Sequence, residues 1–387
     1  MRFTPSIFGS LLKPVDRRGF RSIVEKHGGD AYDKRFRSWD HLVALLYAQF
    51  TGADSLRAIE QGFNALAHDH AHLGCGKLAR STLADANARR PAAIFAELFG
   101  KLAAGLGRKA KAESAEVLRL IDSSPVPLPK YFACAASNGR IRGLKLHVVH
   151  DPGGHCPLEA AITPANVNDI AFGRQRAIEP GATYVFDRGY CHFGWWAEIA
   201  AKGAVFVTRP KVNMRWKTKR KRPLDQIHGD GFTLKGDREV GLASKGDSKL
   251  PVFLRRVTVK RDNGDTFDLI TNDNERSAHD IAACYKARWQ IELFFKWLKQ
   301  NLNIGKFIAT NENAIRLQIL AAMIAFVLLS LVRRMAKPEL SPRRFAELVA
   351  LFIGTRRDIA AIERPPPFNA SRPKPRHHPD QMELAYA

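Results

Sequence analysis

Cysteine is scarce in this 387-residue chain and never paired in sequence. Cys75, Cys134, Cys156, Cys191 and Cys284 are scattered, odd in number and without a CxxC pair. That pattern argues against a zinc site and a disulfide framework, and it suits a reducing cytoplasm. Acid is in short supply too: 38 Asp and Glu face 61 Lys and Arg, a formal charge of +23 with a pI near 10.1. Such an excess favours a polyanionic partner, bound through phosphate neutralisation and counterion release. The most apolar run, 317–332, is interrupted by Gln318 and Ser330. It falls short of the roughly 20 residues a membrane span needs, so a buried helix is expected. Neither a signal peptide nor an amphipathic or lipidated anchor stands out, so no membrane partner is expected. Internal repeats are missing as well. Composition thus implies an intracellular polyanion binder, long enough for two or three domains.

The pattern along the chain changes twice. Residues 1–110 read as helical, with apolar periodicity over 39–50 and 55–66, and Ser81 or Thr82 placed to cap a helix ending before Pro91. Residues 55–90 resemble helix, turn and second helix, with Gly74 and Gly76 in the turn. The second helix carries Asn87, Arg89 and Arg90, side chains suited to base edges or phosphates, or to a solvated basic face. From about 115 strands are predicted over 117–121, 144–149, 158–163, 183–186 and 204–208, with a helix over 194–201. The result is an α/β fold, a mixed sheet flanked by helices. Residues 209–222 hold eight Lys or Arg and no acid around Trp216, and strands at 251–257 and 266–271 complete a β-rich insertion at about 209–274. A buried helix over 314–334 and a last helix within 341–362 follow. The Pro-, Arg- and His-rich tail, 363–387, reads as disordered.

The segment YKARWQIELFFKWLK places Tyr285, Arg288, Glu292 and Lys299 at separations of three, four and seven. At about 100° per residue they fall within a stripe roughly 60° wide, with Ala287, Ile291, Phe294 and Leu298 on the opposite, buried face. A carboxylate flanked by two cations and a phenol can hold a metal beside a phosphate; ordinary surface ion pairing gives the same pattern. Asp122 and Asp187 each close a predicted strand, and chemistry commonly sits just beyond strand ends in such sheets. With Glu292 they form three carboxylates of the kind that hold hard divalent ions such as Mg²⁺. Two such ions, about 3.5–4 Å apart, activate an attacking oxygen and stabilise the leaving one in phosphodiester cleavage. His147, His150, His155 and His192 lie near the strands and read as neutral core or surface residues.

Asp122 in LRLIDSSPV, Asp187 in VFDRGYCHF and the Tyr285-Arg288-Glu292-Lys299 set together resemble the IS4 family of bacterial DDE transposases and its Y-R-E-K signature. The resemblance covers most of the chain, and the first hundred residues resemble the DUF4372-type N-terminal domain of one branch. It implies an RNase H-like catalytic domain over 111–340 behind a helical DNA-binding domain over 1–110. It also implies that Asp122, Asp187 and Glu292 are both catalytic and metal ligands, for two Mg²⁺ ions with Mn²⁺ able to substitute. Tyr285, Arg288 and Lys299 would contact phosphates. Arg188 in the family's DRGY-like segment would reach a phosphate or pair with Asp187, and Gly189 would relieve a tight turn. Trp216 and the basic run would contact or stack on the DNA strand. Asn168 and Asp169, in ANVND, resemble another recurring segment and would at most support the ligands, or cap a helix. The implied substrate is double-stranded DNA, at terminal inverted repeats and at a target. The implied assembly is a homodimer or higher synaptic complex at the bacterial nucleoid. A DNA-binding regulator that has lost its chemistry and a nuclease of the same fold are the competing readings.

Overall fold

Seven helices realise the N-terminal periodicity in the computed structural model of the protein: α1 (Ile7–Leu12), α2 (Arg17–Lys26), α3 (Ser38–Thr51), α4 (Leu56–Ala65), α5 (His70–Leu73), α6 (Arg80–Arg89) and α7 (Ala92–Glu113). The structure describes residues 4–364, apart from 32, 34, 114–116, 131, 133–135, 140, 225–226, 243–252, 303–306 and 337–338. The expected disordered tail lies almost wholly outside these, as does Cys134. Caps fix the helix ends locally: the Asp16 carboxylate accepts from Arg18 N and Gly19 N at 3.0 Å, and Ser55 Oγ accepts from Ala58 N at 3.1 Å. Two local expectations are corrected. Ser81 and Thr82 lie inside α6, whose N-cap position is Ala79. The link between α4 and α6 contains α5, so the pair departs from the three- or four-residue turn of a helix-turn-helix.

The sheet strands are β1 (Leu118–Pro127), β2 (Ala136–Ser137), β3 (Arg142–Asp151), β4 (Cys156–Pro164), β5 (Thr183–Phe186), β6 (Val205–Thr208), β7 (Trp216–Lys221), β8 (His228–Gly229), β9 (Phe232–Leu242), β10 (Leu254–Arg261) and β11 (Thr266–Thr271). Helices α8 (Asp169–Arg174) and α9 (Phe193–Ala201) flank β5 in sequence. Then come α10 (Ala278–Ala287), α11 (Trp289–Asn301), α12 (Glu312–Ala336) and α13 (Pro342–Leu351). β1, β3 and β4 form an antiparallel meander, and β5 and β6 continue it in parallel beside β1. That is an RNase H-like mixed sheet. The β-rich stretch adds to the same sheet: β11 pairs with β6 through Ile270↔Thr208 and Thr271↔Val207, and β10, β9 and β7 follow outward.

Alternation along β1 sends Leu120 and Ile121 to opposite faces. Ile121 joins a core with Phe186, Tyr190, Trp195, Trp196 and Phe206, and Leu120 joins the larger core. That larger core runs without interruption from Ile7 and Phe8 through α3 and α7 to α12, crossing the expected boundary near residue 110. α12 is the expected buried helix, and it is longer than its apolar run. Among the described residues it is the one helix long and apolar enough to cross a bilayer, and 78% of its apolar window is buried inside the protein.

Candidate active site

β1 and β5 run in parallel with a fixed offset, Leu118↔Thr183 through Ile121↔Phe186. Asp122 and Asp187 are the next residue on each strand, so the register alone brings their backbones to neighbouring positions, about 5 Å apart. Asp187 leaves β5 as expected and becomes the N-cap of a 3₁₀ turn, Arg188–Tyr190, its Oδ1 accepting from Gly189 N at 2.8 Å. Asp122 differs from expectation: it lies inside β1, which continues against β3 as far as Pro127↔Gly143. The Ser-Ser-Pro sequence is tolerated within the strand because β5 has ended. Leu128 N–H donates to Arg142 O on β3, so by alternation Pro125 and Pro127 turn their missing donors to the vacated side.

The third carboxylate arrives from the other direction. The single helix expected over 285–299 is two helices, α10 and α11, meeting at Arg288. Arg288 N donates to Tyr285 O and Ile291 N to Arg288 O, each at 3.1 Å, and these three-residue steps tighten the backbone at the joint. Tyr285 therefore lies in the last turn of α10, buried beside Phe267 with ring centroids 5.9 Å apart. Glu292 sits in the first turn of α11. Arg288, at the joint, donates to Asp122 Oδ2 at 3.3 Å, forms an ion pair with Glu292 and lies 5.6 Å from the Tyr285 ring centroid. Asp122, Asp187, Glu292, Arg288 and Tyr285 thus belong to one site. Lys299 is exposed near the end of α11, roughly 10 Å along the axis from Glu292. Ile291, Phe294 and Leu298 are buried as expected, and Ala287 is half-buried.

The carboxylates strain against one another. Burial, then the Asp187 charge and then Glu292 push the Asp122 carboxyl up to about 7, against the opposing pull of Arg288 and the Ser123 N–H. Burial also raises Asp187, with Asp169 adding to the effect and Gly189 N–H and Arg288 opposing it. For Arg288, burial opposes the charge, and Tyr285, Asp122 and Glu292 more than offset it. An all-oxygen donor set with surplus negative charge fits a hard divalent cation. Among the described residues no three His, Cys, Asp or Glu are gathered into a ready-made cage, because the Arg288 guanidinium stands between Asp122 and Glu292.

Beside the site lies a second group that the sequence only hinted at. Asp169, at the start of α8, accepts at Oδ1 from Ser123 Oγ at 2.8 Å and Lys145 Nζ at 3.0 Å. Asn168 holds the N-cap position without a side-chain cap bond. Gly189 has no positive φ, and a Cβ there would crowd the site, standing 3.0 Å from Asp187 Oδ1 and 3.1 Å from Asp169 Oδ2. His147 is buried on the Phe172 ring and burial lowers it to about 4, and His150 is lowered to about 3 by burial. Both are neutral core residues. His192 caps α9 by accepting from Trp195 N at 3.2 Å.

Residues 113–328 match the family described as "Transposase DDE domain". The chain belongs to the DDE transposases. Residues 4–76 match a domain of unknown function, DUF4372. A protein of Sinorhizobium fredii named putative transposase y4zB is 58% identical over 304 residues, covering 79% of this chain and 85% of that relative. A probable transposase for insertion sequence element IS5377 of Geobacillus stearothermophilus is 32% identical over 214 residues, 55% of each chain. A putative transposase for insertion sequence element IS4SA of Synechocystis is 26% identical over 266 residues, covering 65% and 71%. Among solved structures, a piggyBac transposase synaptic complex with hairpin DNA aligns with 95% of this chain and 85% of that one, at 10% identity and a TM-score of 0.49. The chain is therefore a transposase of the insertion-sequence type, an enzyme that acts on DNA and depends on a divalent metal.

The remaining DNA-contact candidates of the transposase divide. Arg90 is withdrawn: it is 4% exposed, stacks on Phe36 and spends its guanidinium on Asp33 and the carbonyls of Phe36 and Arg37. Asn87 is buried too, its amide Oδ1 accepting from His41 Nε2 at 2.7 Å. Arg89 faces solvent and pairs with Asp85 one turn back. Arg188 is exposed next to Asp187. Trp216 heads the edge strand β7, half-buried against the second core, and residues 217–221 after it are all exposed. The basic run is thus strand over 216–221 and turn or irregular chain before it.

Proposed function

We propose that this transposase binds the terminal inverted repeats of its own insertion sequence, cuts there and joins the freed ends to target DNA, with Asp122, Asp187 and Glu292 as metal ligands. The crowding that drives the Asp122 carboxyl to about 7 carries this reading: the site is built for a cation that is not a side chain. Two Mg²⁺ ions, with Mn²⁺ as substitute, would supply Lewis-acid activation of the attacking oxygen and charge neutralisation at the leaving one. In the first reaction water attacks a phosphodiester phosphorus, the P–O3′ bond breaks and a 3′-hydroxyl is released. In the second, that hydroxyl attacks a target phosphodiester, and the target's own 3′ oxygen leaves.

The protein's part is placement. Arg288, held between Tyr285 and two carboxylates, is a planar fork that accepts a phosphate in two bonds once the carboxylates are otherwise engaged. Lys299 supplies a point charge further along the backbone, and Arg188 another beside Asp187. The exposed strand β7 and Arg89 extend the contact along the duplex, and Trp216 stacks on the strand it meets. Catalysis falls to residues 111–340 with the β-rich insertion at 209–274, DNA-end recognition to residues 1–110, and a homodimer or larger complex brings two ends together at the nucleoid. The test incubates full-length protein with the flanking terminal-repeat DNA and Mg²⁺, comparing wild type with Glu292→Gln. Cleavage at the ends by wild type alone is expected. Binding without cleavage in either Mg²⁺ or Mn²⁺ overturns the proposal.

A further inference from the structure

Asp169 takes no part in that scheme, yet its carboxylate hydrogen-bonds one arm of the site and stands close beside the other. On one side, Oδ1 receives Ser123 Oγ at 2.8 Å, and Ser123 is the residue whose N–H meets Asp122 Oδ1 at 2.8 Å. On the other, Oδ2 lies 3.1 Å from the point a Gly189 Cβ would occupy, with Asp187 Oδ1 at 3.0 Å from the same point. Gly189 N–H is also what holds Asp187 Oδ1, at 2.8 Å. Lys145 on β3 completes the link, donating to Asp169 Oδ1 at 3.0 Å and to Val167 O at 2.8 Å. Helix capping does not account for this arrangement: α8 has six residues, and the Asp169 carboxylate is turned to β1 and β3.

We propose that Asp169 is a positioning residue, bridging the Asp122–Ser123 segment of β1 and the Asp187–Gly189 turn after β5 so that the two metal-binding carboxylates keep a fixed separation. Lys145 pairs with it and offsets part of its charge, while the remainder still presses on Asp187. The inference rests on Asp122 and Asp187 being metal ligands. Groups of this kind, in contact with ligands, typically change metal affinity or rate by about 10–100-fold when removed.

The test uses full-length protein and Mn²⁺. Calorimetry gives Mn²⁺ affinity without DNA, single-turnover cleavage gives the rate at saturating DNA, and a binding assay gives DNA affinity. Asp169→Ala is expected to weaken Mn²⁺ binding about tenfold and slow cleavage about 10–100-fold, with DNA affinity unchanged. Asp169→Asn, whose amide oxygen still accepts from Ser123, restores part of both, and Ser123→Ala gives a smaller loss in the same direction. An Asp169→Ala protein with wild-type Mn²⁺ affinity and rate, assayed well below its melting temperature, overturns the proposal even if that temperature has fallen. Should Asp169→Ala not fold, Ser123→Ala and Lys145→Met decide it by the same readouts, and wild-type values in both overturn it. Asp122→Asn separates the two levels: intact Mn²⁺ binding there refutes the ligand assignment, whereas lost binding there beside a normal Asp169→Ala refutes the bridge alone.

Discussion

Replacing Asp122 by Asn should make the metal-free protein more stable at pH 8, and the gain should shrink as the pH falls. The folded-state carboxyl is raised from 3.8 to about 7, so the folded protein holds this proton where the unfolded chain has already released it. Stability is therefore lost as pH rises from about 4 to about 7 and is flat above. The full displacement corresponds to about 4 kcal/mol at 1.36 kcal/mol per unit. The side chain is 17% exposed and pairs with Arg288, so a gain of about 2 kcal/mol at pH 8 is the realistic size for a partly solvated group. Asn keeps the shape, but its single amide oxygen replaces only one of the two acceptors, Oδ1 for Ser123 N–H or Oδ2 for Arg288, and that loss takes part of the gain. The assay is urea unfolding of wild type and Asp122→Asn at pH 5 and pH 8 in chelator, repeated with Mn²⁺. The variant's advantage should fall by more than half at pH 5, and Mn²⁺ should stabilise wild type far more than the variant. An Asp122→Asn protein less stable than wild type at pH 8, or an advantage independent of pH, would refute the electrostatic account of the site.

Three further outcomes follow from the packing and the surface. Arg255 is 2% exposed and forks onto Asp237, so Arg255→Ala should cost about 3 kcal/mol by leaving a buried carboxylate with the more distant Arg222, at 3.7 Å, as its partner; a loss under about 1 kcal/mol in urea unfolding would contradict this. Arg90→Ala should destabilise by about 2 kcal/mol through lost buried hydrogen bonds. Arg89→Ala should leave stability within about 0.5 kcal/mol and weaken DNA binding, so comparing the two in unfolding and binding assays separates scaffold from contact. Changing Lys217, Lys219 and Lys221 together to Gln should reduce the slope of log K against log salt by about 2–3. An unchanged slope in a salt titration would place β7 away from the DNA.

Local chemistry was legible in the sequence, and long-range geometry was not. Strands 183–186 and 266–271 have the predicted bounds, because short apolar runs between turn residues admit little else. Asp122 and Asp187 were legible as candidates, since an acid following an apolar strand is a local signal. Asp122 looked like a strand end because the apolar run 117–121 stops there, and only its pairing with β3 explains why β1 continues. The break at Arg288 has no Gly or Pro to announce it; a helix wheel drawn through it treats two axes as one. Arg90 and Asn87 read as surface types, and their partners at Asp33, Arg37 and His41 lie some 46–57 residues away. Lys145 carried no signal, being one polar residue in an alternating strand, and its value depends on Asp169, 24 residues later.

The place of α12 has a consequence for how the chain comes into being. Its residues pack against both α3 and α7, yet they leave the ribosome about two hundred residues after the end of α7. Until then the apolar faces of α3 and α7 have no permanent cover, and the N-terminal region waits on the far end of the message to close. A copy of the gene interrupted upstream of α12 would therefore yield neither a nuclease nor a finished N-terminal fold. Broken copies would not supply a stable competitor for the intact enzyme's DNA sites.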